Sequence, residues 1–214
     1  MIRRSILLIA GALSVLLASA TSSNAELIVT VGNLNLQPGA SGALDVFIHS
    51  SDGSDLLDSC SLDFRIATGG GTRLEFVDPA PDAQLSDPRY VFPLNDSAFA
   101  KYPPAGQILT NGPTNDTYLG GDGTLSGSGV LVPTTDKLLV TLAVTADTTN
   151  APGIGDSFTI GLMDSADTFF WDPSTNVILY GSAAGTVNIV PEPGTLVLLF
   201  TGLVGLLLAV RRKK

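Results

Sequence analysis

The stretch Ser61-Leu62-Asp63-Phe64-Arg65-Ile66 decides the fold class, because apolar and polar side chains alternate along it. Successive side chains of a β-strand point to opposite faces, so Leu62, Phe64 and Ile66 are predicted to share one buried face. The same alternation recurs in further stretches, which begin at Leu44, Leu74, Leu138 and Phe158. Residues 26–190 show no sustained helical periodicity, so the sequence predicts an all-β domain.

Turn residues separate these strands at short intervals. The chain contains 23 glycines and 13 prolines, and Asp-Pro pairs typical of turns stand at Asp78-Pro79, Asp87-Pro88 and Asp172-Pro173. Many short strands joined by such turns predict one antiparallel β-sandwich over residues 26–190. Residues 95–129 are rich in Gly, Pro, Asn and Thr, so we predict a long excursion there with one or two short strands.

The N-terminus has the parts of a secretory signal peptide. Arg3-Arg4 is a basic region, the run from Ser5 to Leu17 is uncharged and apolar, and small residues follow. Cleavage after Ala20 and cleavage after Ala25 both fit; Ala25 is favoured because strand-like sequence starts directly after it. We therefore assign residues 1–25 to a signal helix read by the general secretory route, with an uncleaved N-terminal anchor as the alternative.

The C-terminus is ordered in three parts. Pro191-Glu192-Pro193-Gly194 ends the last strand, because proline lacks the N–H that a β-ladder needs. The apolar stretch from Thr195 to Val210 is predicted to be a single transmembrane helix, since a helix satisfies its own backbone in lipid. A basic cluster that would stay on the cytoplasmic side follows it, and consists of Arg211, Arg212, Lys213 and Lys214.

This tripartite tail, residues 191–214, resembles the PEP-CTERM sorting signal. The resemblance covers about the last 25 residues, from Val190 to Lys214. It implies that an exosortase-type membrane enzyme recognises and removes the tag from a precursor anchored in the inner membrane. It also implies a Gram-negative bacterium that makes exopolysaccharide, with the mature protein in the cell envelope, on the surface or in the extracellular matrix. An ordinary tail-anchoring helix is the alternative.

The charge distribution argues against nucleic acid as a partner. All 20 acidic residues lie between Glu26 and Glu192. Only five basic residues lie in that region, so its formal charge is about −15. Polyanions and anionic membrane surfaces are repelled by such a domain, whereas its own solubility is favoured.

The sequence predicts a non-enzymatic domain. His49 is the only histidine, it stands in an alternating strand, and no Gly-x-Ser-x-Gly motif accompanies it. Cys60 is the only cysteine, so the domain has no internal disulfide, and we expect the thiol to face the core. The sandwich contains only two glutamates before the tail, Glu26 and Glu75, and nothing marks an aspartate pair suited to glycoside hydrolysis.

Two groups of residues are candidate ligand sites. Asp52, Asp55 and Asp58 supply several hard oxygens in one loop and are candidate ligands of a structural calcium ion, although their spacing does not fit an EF-hand. Solvated acidic turns are the alternative. In the excursion, Phe99, Tyr102 and Tyr118 are candidate sugar contacts, because aromatic rings stack on sugars while nearby Asp and Asn form hydrogen bonds.

The order of strands resembles a cohesin-type or carbohydrate-binding-like β-sandwich of jelly-roll type. The matching stretches are Pro38-Gly39, Leu44 to Ile48, Ser61 to Ile66, Leu74 to Val77 and Gly185 to Ile189. Cohesins bind dockerin modules, but no motif here allows a dockerin-contacting residue to be transferred. We expect a surface or extracellular-matrix protein whose sandwich associates with polysaccharide or with another surface protein. A lectin-like carbohydrate-binding module is the alternative, and a secreted hydrolase is third.

Overall fold

The computed structural model describes residues 26–67, 74–101, 106–111, 114–146, 152–192, 194 and 198–203. The predicted signal peptide and the basic cluster Arg211–Lys214 lie outside the described residues, as do Tyr102 and Pro193.

Fourteen strands and two short helical turns make up the described part of the sandwich. The helical turns are a 3₁₀ turn (Ala83–Ser86) and helix α1 (Ala98–Lys101). The strands are β1 (Leu27–Val31), β2 (Leu34–Leu36), β3 (Ser41–Ser50), β4 (Leu56–Leu57), β5 (Ser59–Ala67), β6 (Leu74–Phe76), β7 (Gly106–Asn111), β8 (Thr114–Gly123), β9 (Val130–Leu131), β10 (Lys137–Ala146), β11 (Ser157–Leu162), β12 (Phe169–Trp171), β13 (Tyr180–Ala183) and β14 (Gly185–Ile189).

The strands form two large sheets and one small one. The smaller of the large sheets has the order β13-β1-β3-β10-β6, and the larger has the order β2-β14-β11-β5-β8-β7 with β12 also paired to β5. Strands β4 and β9 form a separate two-stranded sheet. Most pairs are antiparallel as predicted, but β1 pairs with β13 and β2 with β14 in parallel.

The apolar faces of the two large sheets share one core. Phe76 of the smaller sheet and Tyr118 of the larger sheet lie with ring centroids 6.1 Å apart. The predicted inward faces of β3, β5 and β11 are confirmed, and their residues are buried. Those residues are Leu44, Val46 and Ile48; Leu62, Phe64 and Ile66; and Phe158, Ile160 and Leu162.

Two predicted positions differ from the alternating pattern. Asp63 was expected to face solvent, yet its side chain is fully buried, because Arg65 and Ser165 donate hydrogen bonds to it from above the sheet. Leu138 was expected to share a face with Val140. A bulge between Leu138 and Val140 shifts the register, so Leu138 pairs with Phe47 on the opposite face.

The excursion predicted for residues 95–129 is largely strand. Strand β8 runs for ten residues and pairs with β5 on one side and β7 on the other. Its sequence contains three glycines, so it shows little alternation. The ring of Tyr118 covers Gly106 and Gly120, where a Cβ atom would lie 2.4 to 2.5 Å from that ring. One aromatic side chain therefore fills the inner face that the glycines leave open.

The tail begins directly after the sandwich. Gly194 and residues 198–203 are helical, and the side chains of Leu198, Leu199 and Phe200 are exposed. Among the described residues, no helix has the length and apolar character needed to cross a membrane.

Candidate functional site

An exposed apolar surface stands on the outer side of the larger sheet, and we call it the apolar hairpin face. It consists of Phe169, Trp171, Val177 and Leu179. Trp171 pairs with Val177 across the hairpin, and the Ile178 amide donates to the Phe170 carbonyl over 2.8 Å, so Leu179 stands beside Phe169. Trp171, Val177 and Leu179 are 38%, 63% and 58% exposed. Contiguous exposed apolar side chains are candidates for an interaction site, whereas single scattered ones are not.

Aromatic side chains of the hairpin point alternately into the core and outward. Phe170 is fully buried and its ring lies 5.1 Å from that of Tyr180, whereas Phe169 and Trp171 point the other way. The outward rings stack on each other, with centroids 4.3 Å apart and an angle of 20° between planes. They form a rigid ridge with little side-chain entropy left to lose on binding a partner.

The turn of this hairpin is held by Asp172. Its carboxylate accepts hydrogen bonds from the amides of Ser174 and Asn176, both 2.8 Å long, and from the Asn176 side chain. Those bonds lower the pKa of Asp172, with the Asn176 side chain as the largest cause. Thr175 adopts a φ of 65°, which the turn requires. The sequence identified this Asp-Pro turn, and the structure shows that it fixes the apolar ridge.

A shallow trough lies beside the ridge. Phe169 pairs with Ser61, and Ser61 pairs with Gly121 on the next strand, so small residues adjoin the rings. A cavity of about 450 Å³ occupies this space and is also lined by Phe99, Gln107, Leu119 and Asp167. A Cβ atom at position 121 would lie 2.3 Å from the Cys60 carbonyl oxygen, so close backbone packing requires glycine in this floor.

A buried carboxylate positions the wall of the trough. Asp122 is only 3% exposed, and Oδ2 accepts hydrogen bonds from the Tyr90 hydroxyl at 2.9 Å and the Ser97 hydroxyl at 2.5 Å. Its Oδ1 accepts from the amides of Phe99 and Gly123, at 3.1 and 2.6 Å. Burial, with the neighbouring Asp122 charge, raises the pKa of Tyr90, so the phenol stays a donor. Asp122 therefore ties the segment of residues 90–99 to β8.

The three predicted sugar contacts do not form one platform. Tyr118 is 3% exposed and packs between Phe64 and Phe76, so its ring cannot meet a ligand in this fold; that part of the prediction is wrong. Burial also raises the pKa of Tyr118. Phe99 does line the trough. Tyr102 lies outside the described residues.

Two of the predicted calcium ligands, Asp52 and Asp55, share one hydrogen-bond partner, and Asp58 has a different one. The Ser50 hydroxyl lies 2.6 Å from Asp55 Oδ2 and 3.3 Å from Asp52 Oδ1, whereas Asp58 accepts from the Thr124 hydroxyl. Ser54 donates to Asp52 and lowers its pKa. Within the described ranges, no three His, Cys, Asp or Glu side chains are grouped so that they could hold a metal ion. This geometry gives the calcium prediction no support.

The residues weighed for catalysis stand in separate places. His49 Nδ1 lies 3.0 Å from Asp136 Oδ1, where β3 ends and β10 begins. Cys60 is buried on the inner side of the larger sheet, and burial raises the pKa of its thiol to about 12. A thiol with that pKa remains protonated at neutral pH and is a poor nucleophile.

The chain leaves the sandwich at the sorting tail without a linker. Ile189 is the last residue of β14 and is buried, and the next residue, Val190, donates its amide to the Leu36 carbonyl over 2.8 Å. Pro191 is half-buried and Glu192 is exposed. Pro191 and Glu192, the first two residues of the Pro-Glu-Pro motif, therefore directly follow folded structure.

Comparison with known proteins identifies this tail. Residues 190–213 match the family model of the PEP-CTERM protein-sorting motif. The motif implies an exported protein. No curated protein sequence matches the chain.

Solved structures of cohesin domains resemble the sandwich. A type I cohesin from Clostridium thermocellum, solved in complex with a dockerin, matches with a TM-score of 0.56 and 15% identity over 81% of this chain and 99% of that chain. The sixth cohesin of an Acetivibrio cellulolyticus scaffoldin, also in complex with a dockerin, has a TM-score of 0.52 and 12% identity over 77% and 99%. A non-cellulosomal cohesin from Archaeoglobus fulgidus has a TM-score of 0.51 and 15% identity over 79% and 95%. At these identities the likeness shows the fold, a cohesin-like β-sandwich.

Sequence reasoning missed the apolar hairpin face and Asp122. The signal for the first was present in Phe169-Phe170-Trp171, where both faces of a strand are aromatic and only one can be buried. No signal identified Asp122, because a lone aspartate between glycines is typical of a turn.

Proposed function

We propose that this chain is a non-enzymatic exported surface protein, which is sorted through its C-terminal tag and binds another envelope protein through the outer face of its larger sheet. The observation that carries the proposal is a PEP-CTERM motif that directly follows the last strand of a cohesin-like sandwich. The two parts have separate roles, since the tail directs processing and the sandwich presents a surface.

Protein association is supported by the apolar hairpin face. Its four side chains are presented on hydrogen-bonded backbone, so little ordering is needed on binding. Because the rings of Phe169 and Trp171 already stack on each other, each ring has one face covered, which leaves less area for a sugar to stack on. The exposed carboxylates of Asp164 and Asp167 lie near this face, so a partner with a basic rim around an apolar centre would fit it.

Polysaccharide binding is the second candidate, and the trough is the observation that favours it. Phe99, Gln107 and Asp167 line its 450 Å³ and combine an aromatic ring with hydrogen-bonding groups. A glycan bound there would contact the sandwich beside the ridge. The two candidates can therefore be separated by the chemistry of what contacts this surface.

The sorting half of the proposal is tested by intact-mass spectrometry of the chain from a host that makes an exosortase-type enzyme. We expect a mature protein that lacks Arg211 to Lys214. The matched control is the same chain in a host without that enzyme, which should keep the tail. A recovered peptide that ends at Lys214 in the first host would point to a permanent anchor instead.

The binding half is tested by photo-crosslinking in the native host. A photo-crosslinking amino acid replaces Trp171, and a control chain carries it in place of Leu131, which is 61% exposed and belongs to the separate β4–β9 sheet. We expect a discrete, protease-sensitive adduct from position 171 and none from position 131. A periodate-sensitive smear from position 171 would favour the polysaccharide reading. Equal labelling from both positions, or none from either, would contradict a docking role for this face.

A further inference from the structure

The point where the chain leaves the sandwich fixes which end of the domain faces the membrane. Strand β14 ends at Ile189, whose carbonyl accepts the Gly155 amide and whose amide donates to the Asp156 carbonyl, both over 2.9 Å. Strand β2 runs parallel to β14 and ends beside it at Leu36. The turns of residues 37–40 and 152–156 therefore lie at the same end as the exit, and we call this end the tail end.

The connection from the sandwich to the apolar tail is short in any conformation. Four residue steps lead from the anchored Val190 to Gly194, and an extended chain covers at most about 3.3–3.6 Å per step, or about 14 Å here. The stretch from Gly194 to Val210 would be about 26 Å long as a helix, shorter than the roughly 30 Å hydrocarbon core. A short span draws its flanking residues toward the bilayer.

The turns at the tail end carry an apolar side chain and few charges, which favours contact with the bilayer surface. Ile154 is 61% exposed at the tip of the turn, between Gly153 and Gly155, and Gly155 adopts a φ of 97°. The one carboxylate in this turn, that of Asp156, accepts the Gly153 amide over 2.7 Å. The neighbouring turn, Gln37 to Ala40, carries no charge.

We propose that, in the anchored precursor, the tail end rests on the lipid surface and Ile154 contacts the interfacial region of the bilayer. This inference rests on the proposed function, because it requires the tail to be in the membrane. Because the connection to the membrane is short, the exposed Ile154 side chain is close enough to the bilayer to be buried in its interfacial region. The headgroup layer is only about 5–8 Å thick on each side, so a connection of about 14 Å keeps the turn near it.

The same geometry directs the apolar hairpin face away from the bilayer. Along β5, Ala67 pairs with Thr159 toward the tail end, and Ser59 pairs with Trp171 at the other end. Eight residue steps of a strand separate these two positions, which is about 26 Å. The acidic loop of residues 51–58 also lies at that far end, because β3 runs from Ser41 near the tail end to Ser50.

The experiment uses the full chain reconstituted into liposomes of phosphatidylcholine and phosphatidylglycerol that contain doxyl-labelled lipid as a quencher. An NBD label is attached at Ile154→Cys, or at Val177→Cys as the control, since the two side chains are 61% and 63% exposed. The native Cys60 is buried, so it should take up little label. We expect lipid-dependent loss of fluorescence at position 154 and none at position 177.

Two further arms separate the inference from the function on which it rests. Flotation of the unlabelled chain with liposomes reports anchoring by the tail; if the chain fails to float, the proposed anchoring is wrong and the inference is lost with it. If the chain floats but position 154 is not quenched, or positions 154 and 177 are quenched equally, the inference alone is overturned. A Gly-Ser spacer of about 20 residues between Val190 and Pro191, with a reach of about 25 Å, should abolish quenching at position 154. Quenching that survives the spacer would show that the short connection does not cause the contact.

Discussion

Replacing Asp122 tests whether this buried carboxylate holds the trough wall against the larger sheet. In Asp122→Ala, the hydroxyls of Tyr90 and Ser97 and the amide of Phe99 lose this carboxylate as an acceptor. A buried donor left without a partner costs about 1–3 kcal/mol. The Tyr90 hydroxyl and the Phe99 amide therefore predict a loss of about 2–6 kcal/mol in the free energy of unfolding.

Tyr90→Phe is the matched variant, because it removes one donor and leaves the carboxylate with three other donors. We expect a smaller loss, about 1.5–3 kcal/mol, as for a hydrogen bond to a charged group. The double variant should lose less than the sum of the two single variants, since Asp122→Ala has already removed what Tyr90 donates to.

Urea denaturation of the detergent-solubilised full chain, followed by the fluorescence of Trp171, measures these losses. Trp171 is the only tryptophan, and it lies on β12 rather than beside Asp122. A loss below about 1 kcal/mol for Asp122→Ala, or strict additivity in the double variant, would refute the argument that these hydrogen bonds hold residues 90–99 in place.

Three further predictions concern the core, a buried thiol and the acidic loop. Phe64→Ala should lower the free energy of unfolding by about 3–5 kcal/mol in urea melts, because the ring is fully buried, and a loss under about 1 kcal/mol would contradict its placement. Since burial raises the pKa of Cys60 from 9.0 to about 12, its contribution to stability is fully present below pH 9 and is lost as the pH rises toward 12. Tyrosines titrate in the same way in both chains, so between pH 9 and pH 10 the fall in stability should be smaller in Cys60→Val than in the wild type. Calcium should raise the melting temperature no more than magnesium at equal ionic strength, and a calcium-specific rise that disappears in Asp55→Asn would overturn this expectation.

Where one sheet face meets the core and the other meets solvent, the sequence predicted the structure correctly. Leu62, Phe64 and Ile66 are buried because a half-buried strand must place alternate side chains inward. The sorting motif in the tail was also predicted correctly from the sequence, because its three parts each have a separate physical role and follow in a fixed order.

Where packing came from distant segments, the sequence was a poor guide. Strand β8 was read as an excursion because glycines carry no side chain to show alternation, and one ring, that of Tyr118, fills the inner face for them. Asp63 is buried because the segment around Ser165 folds over it, more than 100 positions along the chain. Local periodicity contains no information about such covering contacts.

Removal of the tail would change how strongly the sandwich is held at the membrane surface. Burying one isoleucine side chain contributes about 1.5–3 kcal/mol, so Ile154 alone could raise membrane affinity only by about 10- to 160-fold. The exported part carries 20 acidic and five basic residues, and an anionic bilayer repels it. Contact at the tail end would therefore depend on the covalent connection at Val190 and Pro191. In the proposed processing, removal of the tag would break the connection and leave the repulsion, so it would also release the sandwich, while the apolar hairpin face at the far end of β5 would stay available for the proposed partner.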